Sequence, residues 1–441
     1  MKNILIIAYY FPPSGGPGVQ RVLKHIKYLH EFGWNPIVLT VSNGQFPARD
    51  ESLLQQIPKH VKVYRSHIYE PYDLYRKLTG KKKGTAIDVN VIKKDDQKVS
   101  FKEKIAEFIR ATFFIPDARI GWLFSATKAI KEIQKEHKID AIYSSSPPYT
   151  CSIIARNFKR RSKLPWVAGF RDPWRGFISA PKRWFLPEAF DIMMERSVFE
   201  EADAVECAWE GIIKDALGKY PRLDKKKFHH VPNGFDSSDF PKVEIKNNDK
   251  FTVTYTGSMY GRRNPQTIFA AIEKLIEENK IDPKKIHLRF VGRFGAEVEE
   301  MFAGASFSDS IETVSYVPHE KSIEYLMLSD ALLLVVDESK ESAEIVPGKV
   351  YEYIGVHRPV IAVGPEDGAI ARLLNETHAG DIAHQSELQK QADIFEKHYN
   401  EWLGGEKSYS PDLDKIKTYE RREAAKKLAE IADELINKKR Y

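Results

Sequence analysis

Apolar and polar residues alternate in blocks along the first forty positions of the chain. A continuous apolar run over residues 3–10 is typical of a parallel strand that is buried on both faces. A Pro/Gly segment at 11–18 interrupts it, apolar residues recur at helical spacing over 19–32, and Gly33 stands where a helix would end. Residues 34–41 form the next apolar run. This order of strand, glycine loop, helix and strand predicts a doubly wound α/β domain.

The same pattern restarts near residue 250. Residues 251–256 predict a strand, 257–264 a loop, and 265–279 a helix with a proline near its first turn. Further strands are predicted by the apolar runs at 140–144, 166–170, 203–207, 287–292, 331–336 and 360–363. We therefore expect two consecutive Rossmann-like α/β domains, over residues 1–240 and 241–405.

The C-terminal segment, residues 406–441, is predicted to be helical. One apolar stripe among many charged residues consists of Ile416, Tyr419, Leu428, Ile431 and Leu435. It indicates a single surface-packed helix over 412–437. Asp412 and Asp414 have an Asp-x-Asp spacing that can bind a metal, but they follow a proline in a polar segment. A helix start is therefore the favoured interpretation of these two residues.

Composition and charge exclude several classes of protein. Of the 441 residues, 42% are hydrophobic, which is ample for large cores and argues against a disordered chain. The formal charge of +6 is too small to indicate a dedicated nucleic-acid binder. Cys151 and Cys207 cannot form a disulfide framework, and the apolar start lacks a signal-peptide cleavage site. No run approaches the ~18 apolar residues of a membrane span, so we expect a cytoplasmic protein.

One charged segment stands apart within a predicted insertion at about 70–120. Residues 76–110 contain eleven Lys/Arg against five Asp/Glu, an excess equal to that of the whole chain. Aromatic and aliphatic residues at helical spacing follow over 101–113. One interpretation is a solvated insertion with a core-facing helix. The other is a surface at 76–114 that meets anionic lipid headgroups or a lipid-phosphate acceptor.

The first candidate site is the glycine loop that contains Gly15 and Gly16. It lies between a predicted strand and helix, where backbone N–H groups and a helix N-terminus can face a phosphate or sugar oxygen. It is not a dinucleotide fingerprint, because Arg21 stands where the third glycine should be. An NAD(P) enzyme is therefore disfavoured, and a tight turn without a ligand is the alternative.

The second candidate site is the corresponding loop of the second domain. Gly257 opens it, and Arg262 and Arg263 follow before the next helix. Two guanidinium groups beside a glycine turn suit a diphosphate, because each can make bidentate, charge-assisted contacts. Adjacent arginines on a loop are more often solvated, but this loop follows a predicted parallel strand, where open α/β sheets bind ligands.

The third candidate site combines a Pro-Gly-Lys loop with a short helix and an Arg-Pro pair that leads into a strand. Glu344 precedes the loop, Lys349 ends it, and Glu352 lies on the helix. A carboxylate at a helix end, such as that of Glu352, can accept both hydroxyls of a ribose. The ammonium of Lys349 can neutralise a phosphate.

These features together make the chain similar to family-4-type glycosyltransferases of the GT-B fold. The resemblance rests on FPPSGGPGVQR near the N-terminus, VPNGFD at the domain exit, YTGS at the restart, and Glu-x7-Glu before RPVIAV. It extends from Lys2 to about residue 435 and is weakest over 45–120. It implies two Rossmann-like domains that face a cleft, with a C-terminal helix that crosses back to the first domain.

The resemblance also implies a function. A nucleoside-diphosphate sugar of the UDP or GDP type would bind mainly to the second domain, and a saccharide or lipid-linked acceptor mainly to the first. Members with this motif typically retain the anomeric configuration and need no metal or tightly bound cofactor. We expect a role in surface polysaccharide, lipopolysaccharide or glycolipid biosynthesis, with peripheral contact at the inner face of the membrane.

Individual roles follow from the resemblance by position. Glu352 would hold the donor ribose, and Glu344 would touch the donor sugar. The diphosphate would be held by Lys349 with Arg262 or Arg263 beside the Gly257 turn, and Gly15 and Gly16 would approach the sugar-phosphate. The chain departs from the family at Pro347, where a glycine is common, and at Asp172, where a histidine is common.

The residues expected to act in catalysis are Asp172, Glu344, Arg262 and Lys349. Asp172 either orients the acceptor hydroxyl or accepts its proton; a turn-forming Asp before Pro is the alternative. Two rival functions remain open from the sequence. One is a nucleotide-sugar 2-epimerase of the same fold, and the other is a catalytically inactive scaffold.

Overall fold

The computed structural model describes residues 1–69, 108–109, 111–176, 182–245, 247–261, 263–337, 344, 346–405 and 408–440. The chain divides into two compact units. Unit 1 comprises Met1–Pro232 and Ala424–Tyr441, and unit 2 comprises Asn233–Glu423. Most of the charged segment 76–110 lies outside the described residues, as does Arg262.

The described part of unit 1 contains a parallel sheet of seven strands. The strands are β1 (Lys2–Ala8), β2 (Trp34–Val41), β3 (Lys62–Ser66), β4 (Ala141–Ser146), β5 (Trp166–Phe170), β6 (Ala204–Cys207) and β7 (Phe228–His230). The helices are α1 (Pro17–Tyr28), α2 (Leu123–Glu136), α3 (Thr150–Ser162), α4 (Phe185–Glu201) and α5 (Glu210–Lys219). Strand order is β3-β2-β1-β4-β5-β6-β7, so the chain reverses direction across the sheet between β1 and β4.

Helices cover both faces of this sheet, as the continuous apolar runs predict. In β1, Leu5 and Ile7 pack into the core on one face, whereas Ile4 and Ile6 pack into a separate core on the other. All four side chains are fully buried. A strand with two buried faces cannot show polar alternation, which is why its sequence reads as one apolar block.

Unit 2 repeats the architecture with six parallel strands among its described residues. The strands are β8 (Phe251–Thr256), β9 (Ile286–Val291), β10 (Ile311–Val314), β11 (Ala331–Val335), β12 (Val360–Val363) and β13 (Gly380–Ala383). The helices are α6 (Gln266–Glu277), α7 (Ala296–Gly304), α8 (His319–Met327), α9 (Gly348–Gly355), α10 (Ala369–Thr377), α11 (Leu388–Gly404) and α12 (Leu413–Lys417). The order β10-β9-β8-β11-β12-β13 places the reversal between β8 and β11.

The predicted single helix over 412–437 is wrong, because the structure has two helices there. Helix α12 ends at Lys417, and α13 (Arg421–Arg440) follows. The backbone between them pairs with Phe235 instead: Phe235 N–H donates to Tyr419 O at 3.1 Å, and Arg421 N–H donates to Phe235 O at 2.7 Å. A Cβ on Gly234 would lie 1.9 Å from Tyr419 O, so this close backbone approach requires glycine.

The apolar stripe is consequently shared between two cores. Ile416 and Tyr419 pack in a core of unit 2, whereas Leu428, Ile431 and Leu435 pack in the core of unit 1 that includes Ile4 and Ile6. The predicted helix start at Asp412 is confirmed. Its side chain accepts a hydrogen bond from Lys415 N–H at 3.0 Å and caps α12.

Arg21, which replaces the third glycine of a dinucleotide fingerprint, has a structural partner in unit 1. Its guanidinium lies 2.8 Å from a Glu206 carboxylate oxygen and donates to Val231 O at 2.7 Å. Tyr143 OH donates to the same carboxylate at 2.5 Å. Burial alone would raise the pKa of Glu206, but Arg21 and His25 hold it at about 2. This buried ion pair fixes α1 against β6 and the exit segment.

Candidate functional site

The glycine loop of unit 1 follows β1, at the point where the strand order reverses. Gly15 N–H already donates to Ala48 O at 2.9 Å, so it is occupied within the loop. Gly16 is exposed and has a φ of 89°, a left-handed conformation that favours glycine. Of the two predicted glycines, Gly16 is therefore the better placed to offer its backbone to a ligand.

The loop after β5 is held in place at several points on either side of Asp172. Arg171 N–H donates to Ser146 O at 2.9 Å, and Trp209 Nε1 donates to Arg171 O at 3.2 Å. The Arg171 guanidinium lies over the Tyr10 ring, 5.6 Å from its centroid. A Cβ on Gly18 would lie 2.3 Å from Arg171 Nη1. The Asp172 loop and the glycine loop are thus neighbours at one edge of the sheet.

Buried aromatic side chains support the Asp172 loop through further contacts. The Tyr149 ring stacks on Trp174 at a centroid distance of 4.6 Å, and Tyr149 OH donates to Pro173 O. Trp174 Nε1 donates to the buried carboxylate of Asp191 on α4 at 2.8 Å. Because Trp174 and Asp191 are both buried, the backbone around Asp172 has little freedom.

The Asp172 carboxylate itself accepts no hydrogen bond from any residue that the structure describes. Burial raises its pKa, and the neighbouring guanidinium of Arg171 lowers it only in part. A partly buried carboxylate without a donor is costly for a fold to keep, whereas a proton acceptor in catalysis needs a raised pKa. Asp172 is therefore the best candidate for acid–base chemistry in unit 1.

In unit 2 the loop after β8 begins at Gly257, with a φ of 112°. A Cβ on Gly292 would lie 2.0 Å from Gly257 O, so the ends of β8 and β9 approach too closely for larger residues. Arg263 lies further along this loop. Its Nε is buried, and its side chain makes no hydrogen bond or ion pair with another described residue.

Lys349 reaches the same loop from the first turn of α9. Its ammonium lies 3.8 Å from the centroid of the Tyr255 ring and donates to Thr256 O at 3.2 Å. Burial lowers its pKa well below the ordinary value, and the nearby cation of Arg263 lowers it further, whereas Glu352 acts in the opposite direction. Two adjacent cations without an ion-pair partner among the described residues form a site for an anion.

Glu352 lies one turn after Lys349 on α9, and its carboxylate has an unforeseen partner. His319, at the first position of α8, lies with Nε2 2.8 Å from a Glu352 oxygen. The contact leaves the other carboxylate oxygen available for a hydroxyl group. Glu344 is placed differently: it forms an ion pair with Arg372 at 2.9 Å.

The structure thus groups the predicted residues within each unit. In unit 2, Gly257, Arg263, Lys349 and Glu352 lie together at the reversal of strand order. Glu344 is paired with Arg372, while Arg262 lies outside the described residues.

Sequence reasoning missed three contributing residues. The only signal for His319 was its position between a strand and a helix. Tyr255 lies in an apolar strand, where its sequence context indicates only burial. Arg171 directly precedes Asp172, but no role was predicted for it.

A metal ion in a protein is usually held by several His, Cys, Asp or Glu side chains that lie close together. In the part of the chain that the structure describes, no cluster of three or more His, Cys, Asp or Glu could hold an ion. Across the same residues, every helix is too short or too polar to cross a bilayer.

Comparison with known proteins shows what this chain is similar to. Residues 72–239 match the model of Glycosyltransferase Family 4. The match spans 168 of the 441 residues and makes this chain similar to that family. The match ends at residue 239, shortly after the end of unit 1 at Pro232, and covers the loop that carries Asp172. No curated protein matches this chain.

Solved structures confirm the predicted fold. A glycosyltransferase from Rickettsia africae aligns with a TM-score of 0.60 at 14% identity, over 99% of both chains. A TarM variant from S. aureus, in complex with fondaparinux, alpha-GlcNAc-glycerol and UDP, aligns at 0.57 and 11% identity over 98% of this chain and 100% of its own. A UDP-forming alpha,alpha-trehalose-phosphate synthase from Burkholderia xenovorans aligns at 0.60 and 10% identity over 99% of both chains. The predicted GT-B class of two Rossmann-like domains is confirmed.

Proposed function

We propose that this protein is a glycosyltransferase that moves a sugar from a nucleoside-diphosphate sugar to a hydroxyl group of a saccharide or lipid-linked acceptor. The observation that carries the proposal is the pair of cations in unit 2. Arg263 lies close enough to Lys349 to disfavour the charge of its ammonium, and neither side chain has an ion-pair partner among the described residues. A diphosphate would supply the missing negative charge.

The leaving diphosphate explains why these cations would accelerate the reaction. The sugar–phosphate bond breaks toward an oxocarbenium-like state, as in glycoside hydrolysis. Negative charge then grows on the diphosphate, so Arg263 and Lys349 stabilise the transition state more than the ground state. These side chains would perform the charge stabilisation that a bound metal supplies in other enzymes.

Glu352 would bind the donor ribose through the carboxylate oxygen that His319 leaves available. His319 would hold the carboxylate in one orientation while the ribose hydroxyls donate to it. Glu344, which pairs with Arg372, remains a candidate for contact with the donor sugar.

Asp172 would act on the acceptor. Its raised pKa suits a group that accepts a proton from the attacking hydroxyl or orients it. The Gly16 backbone, on the neighbouring loop, would contact the sugar or phosphate of the substrate. Retention of the anomeric configuration, as in the family that the chain resembles, is part of this proposal.

The setting of the reaction is also a proposal. One structural neighbour is a complex with UDP and another is a UDP-forming synthase, which supports a UDP-type donor over a GDP-type donor. The positive charge of residues 76–110 supports work at the inner face of a membrane, on surface polysaccharide, lipopolysaccharide or glycolipid.

Thermal unfolding with a panel of nucleoside diphosphates tests the proposal, with and without magnesium. A ligand at ~100 times its dissociation constant stabilises by about 2.7 kcal/mol, which is a shift of several degrees for units of about 200 residues. We expect one diphosphate to raise Tm without magnesium, and Lys349→Ala to abolish the shift. Lys280→Ala, which removes an exposed lysine beside Glu278, is the matched control.

A turnover assay completes the test. Transfer of sugar to an added acceptor supports the transferase, whereas epimerisation of the nucleotide sugar without an acceptor would identify an epimerase. The absence of a Tm shift with every diphosphate would contradict the proposed donor site.

A further inference from the structure

Helix α4 buries charged side chains and exposes apolar ones. Its inward side carries the carboxylates of Asp191 and Glu195, which are 5% and 0% exposed. Its outward side begins with an aromatic face, which we define as Phe185, Leu186, Ala189, Phe190 and Met193. Phe185 is 78% exposed, and Phe190 and Met193 are more than half exposed. An ordinary surface helix has the opposite arrangement.

The inward carboxylates are held by ion pairs and hydrogen bonds, so the helix cannot simply rotate to bury its aromatic side. Arg183 Nε lies 2.9 Å from an Asp191 oxygen, and Trp174 donates to the other oxygen. Glu195 is approached by Lys219 Nζ at 3.4 Å and accepts a hydrogen bond from Tyr220 OH at 2.8 Å. Exposure of the aromatic face is therefore enforced by ion pairs on the other side.

Further apolar surface adjoins this face. Trp184 Nε1 donates to Thr112 Oγ1 at 2.9 Å, and Arg183 donates to the carbonyls of Ala111 and Phe114. The segment 111–114 is thereby fixed beside the start of α4. Phe113 on this segment is 68% exposed. A contiguous exposed apolar patch of this kind marks a surface that another phase or molecule covers.

We propose that the aromatic face of α4 docks the enzyme on an anionic lipid bilayer. This inference deepens the proposed membrane contact, because it names the element that enters the interface. Phe, Leu, Met and Trp are the side chains that amphipathic surface helices insert at the boundary between headgroups and acyl chains.

Charge complementarity favours a bilayer over a second copy of the chain. Residues 76–110, which directly precede the segment 111–114 in the chain, carry eleven Lys/Arg against five Asp/Glu. An anionic surface would be attracted to this segment, whereas a second copy would bring the same positive charge toward it. The acidic residues nearest the face do not oppose this, since Glu188 pairs with Arg175 and Asp191 pairs with Arg183.

A single fluorescent label tests the proposal directly. The chain has only two cysteines, Cys151 and Cys207, and both are buried, so an introduced surface thiol can be labelled selectively. We expect nitrobenzoxadiazole on Phe190→Cys to brighten and shift to the blue with phosphatidylglycerol/phosphatidylcholine vesicles, and much less with phosphatidylcholine alone. The matched control is the same label on Leu403→Cys, a 52% exposed position in unit 2, which should not respond.

Vesicle co-sedimentation measures the contribution of the face. We expect Phe185→Ser with Phe190→Ser to lower partition to the anionic vesicles by at least about tenfold, and Leu403→Ser to leave it unchanged. Both positions are exposed, so the double variant should unfold at the wild-type temperature. An unresponsive label at position 190, or unchanged partition of the double variant, would overturn the proposal.

Sedimentation velocity without vesicles tests the alternative that a second copy of the chain covers the aromatic face. A wild-type dimer that the two serine substitutions dissociate would assign the face to a second copy and overturn the bilayer assignment. Vesicle binding is measured without nucleotide, so its failure would leave the diphosphate-induced Tm shift intact. Conversely, a missing Tm shift with normal vesicle binding would contradict the donor site alone.

Discussion

The two units share one topology but carry opposite charges at the same place in the sheet. In both, the strand order reverses between the first and fourth strands, and the loops at that edge hold the candidate residues. Unit 1 presents the carboxylate of Asp172, whose pKa burial raises. Unit 2 presents the cations of Arg263 and Lys349, and burial lowers the pKa of Lys349.

The comparison shows that the fold supplies a position and the side chains supply the chemistry. Each unit also contains an arginine near its first glycine loop. Arg171 is used within unit 1, where it donates to Pro147 O and lies over Tyr10, whereas Arg263 makes no side-chain hydrogen bond among the described residues. Within the part of the chain that the structure describes, unit 2 therefore offers a cationic pair to an anionic ligand, and Arg171 of unit 1 does not.

The largest effect is expected from Asp172→Asn, which removes the acid–base group and keeps its shape. We expect kcat/KM to fall by about 10²–10⁴-fold, the usual contribution of such a group, while nucleotide binding is unchanged. In the wild type, activity should fall as the pH drops through the raised pKa of Asp172, and this acidic limb should vanish in the variant. The measurement is the pH profile of kcat/KM.

The matched control is Asp140→Asn. Asp140 lies just before β4, at the opposite edge of the same sheet, where it accepts a hydrogen bond from Asn3 N–H. This variant should lose stability but keep the acidic limb. An acidic limb that persists in Asp172→Asn would assign the proton transfer to another group.

Lys349→Ala should reduce kcat/KM by about 10²–10³-fold, the typical cost of one preorganised donor to a developing charge. Because the ammonium must be protonated to bind the diphosphate, nucleotide affinity in the wild type should also fall as pH rises through the lowered pKa of Lys349. Calorimetry of nucleoside diphosphate binding at several pH values measures this. Affinity that is independent of pH would remove Lys349 from the donor site.

Glu352→Gln should have a smaller effect, of about tenfold on nucleotide affinity, because one charge-assisted hydrogen bond is weakened. The wild type should prefer the ribonucleoside diphosphate over its 2′-deoxy analogue, and the variant should lose that preference. His319→Ala should reduce the preference less, since it only orients the carboxylate. An unchanged preference in Glu352→Gln would place the ribose elsewhere.

The smallest expected effect is on the thermal stability of the ligand-free protein. Folding disfavours the charged form of both groups, so Asp172→Asn and Lys349→Met should each raise the Tm of the ligand-free protein. The expected rise is about 2–4 °C for each kcal/mol gained. In the wild type, the Asp172 contribution to stability falls as pH rises through its raised pKa, whereas the Lys349 contribution grows as pH rises through its lowered pKa. Parallel melting curves from acid to alkaline pH test both signs.

Most strands were predictable from the sequence for a single physical reason. Strands such as Trp166–Phe170, Phe251–Thr256 and Val360–Val363 are buried on both faces and have the predicted bounds. The break between α12 and α13 was not predictable, because the apolar stripe continues through it. It depends on hydrogen bonds to Phe235, almost two hundred positions away in the chain.

The candidate site was also only partly predictable from the sequence. The sequence placed Gly257, Arg263, Lys349 and Glu352 after parallel strands, and sheet topology brings such loops together. It could not show that Gly15 N–H is occupied, that His319 pairs with Glu352, or that Glu344 pairs with Arg372. These contacts join residues that are far apart in the chain.

The sequence by itself determined the two α/β domains and the resemblance to family-4-type glycosyltransferases, since local periodicity and motif order are written along the chain. Tertiary structure alone decided which charges are compensated. Asp191 and Glu195 acquire cations, whereas Asp172 and Lys349 are desolvated without an ion-pair partner among the described residues. The same packing leaves the aromatic face of α4 exposed. Burial and pairing are properties of three-dimensional neighbours, and these neighbours exist only after the sheets have formed.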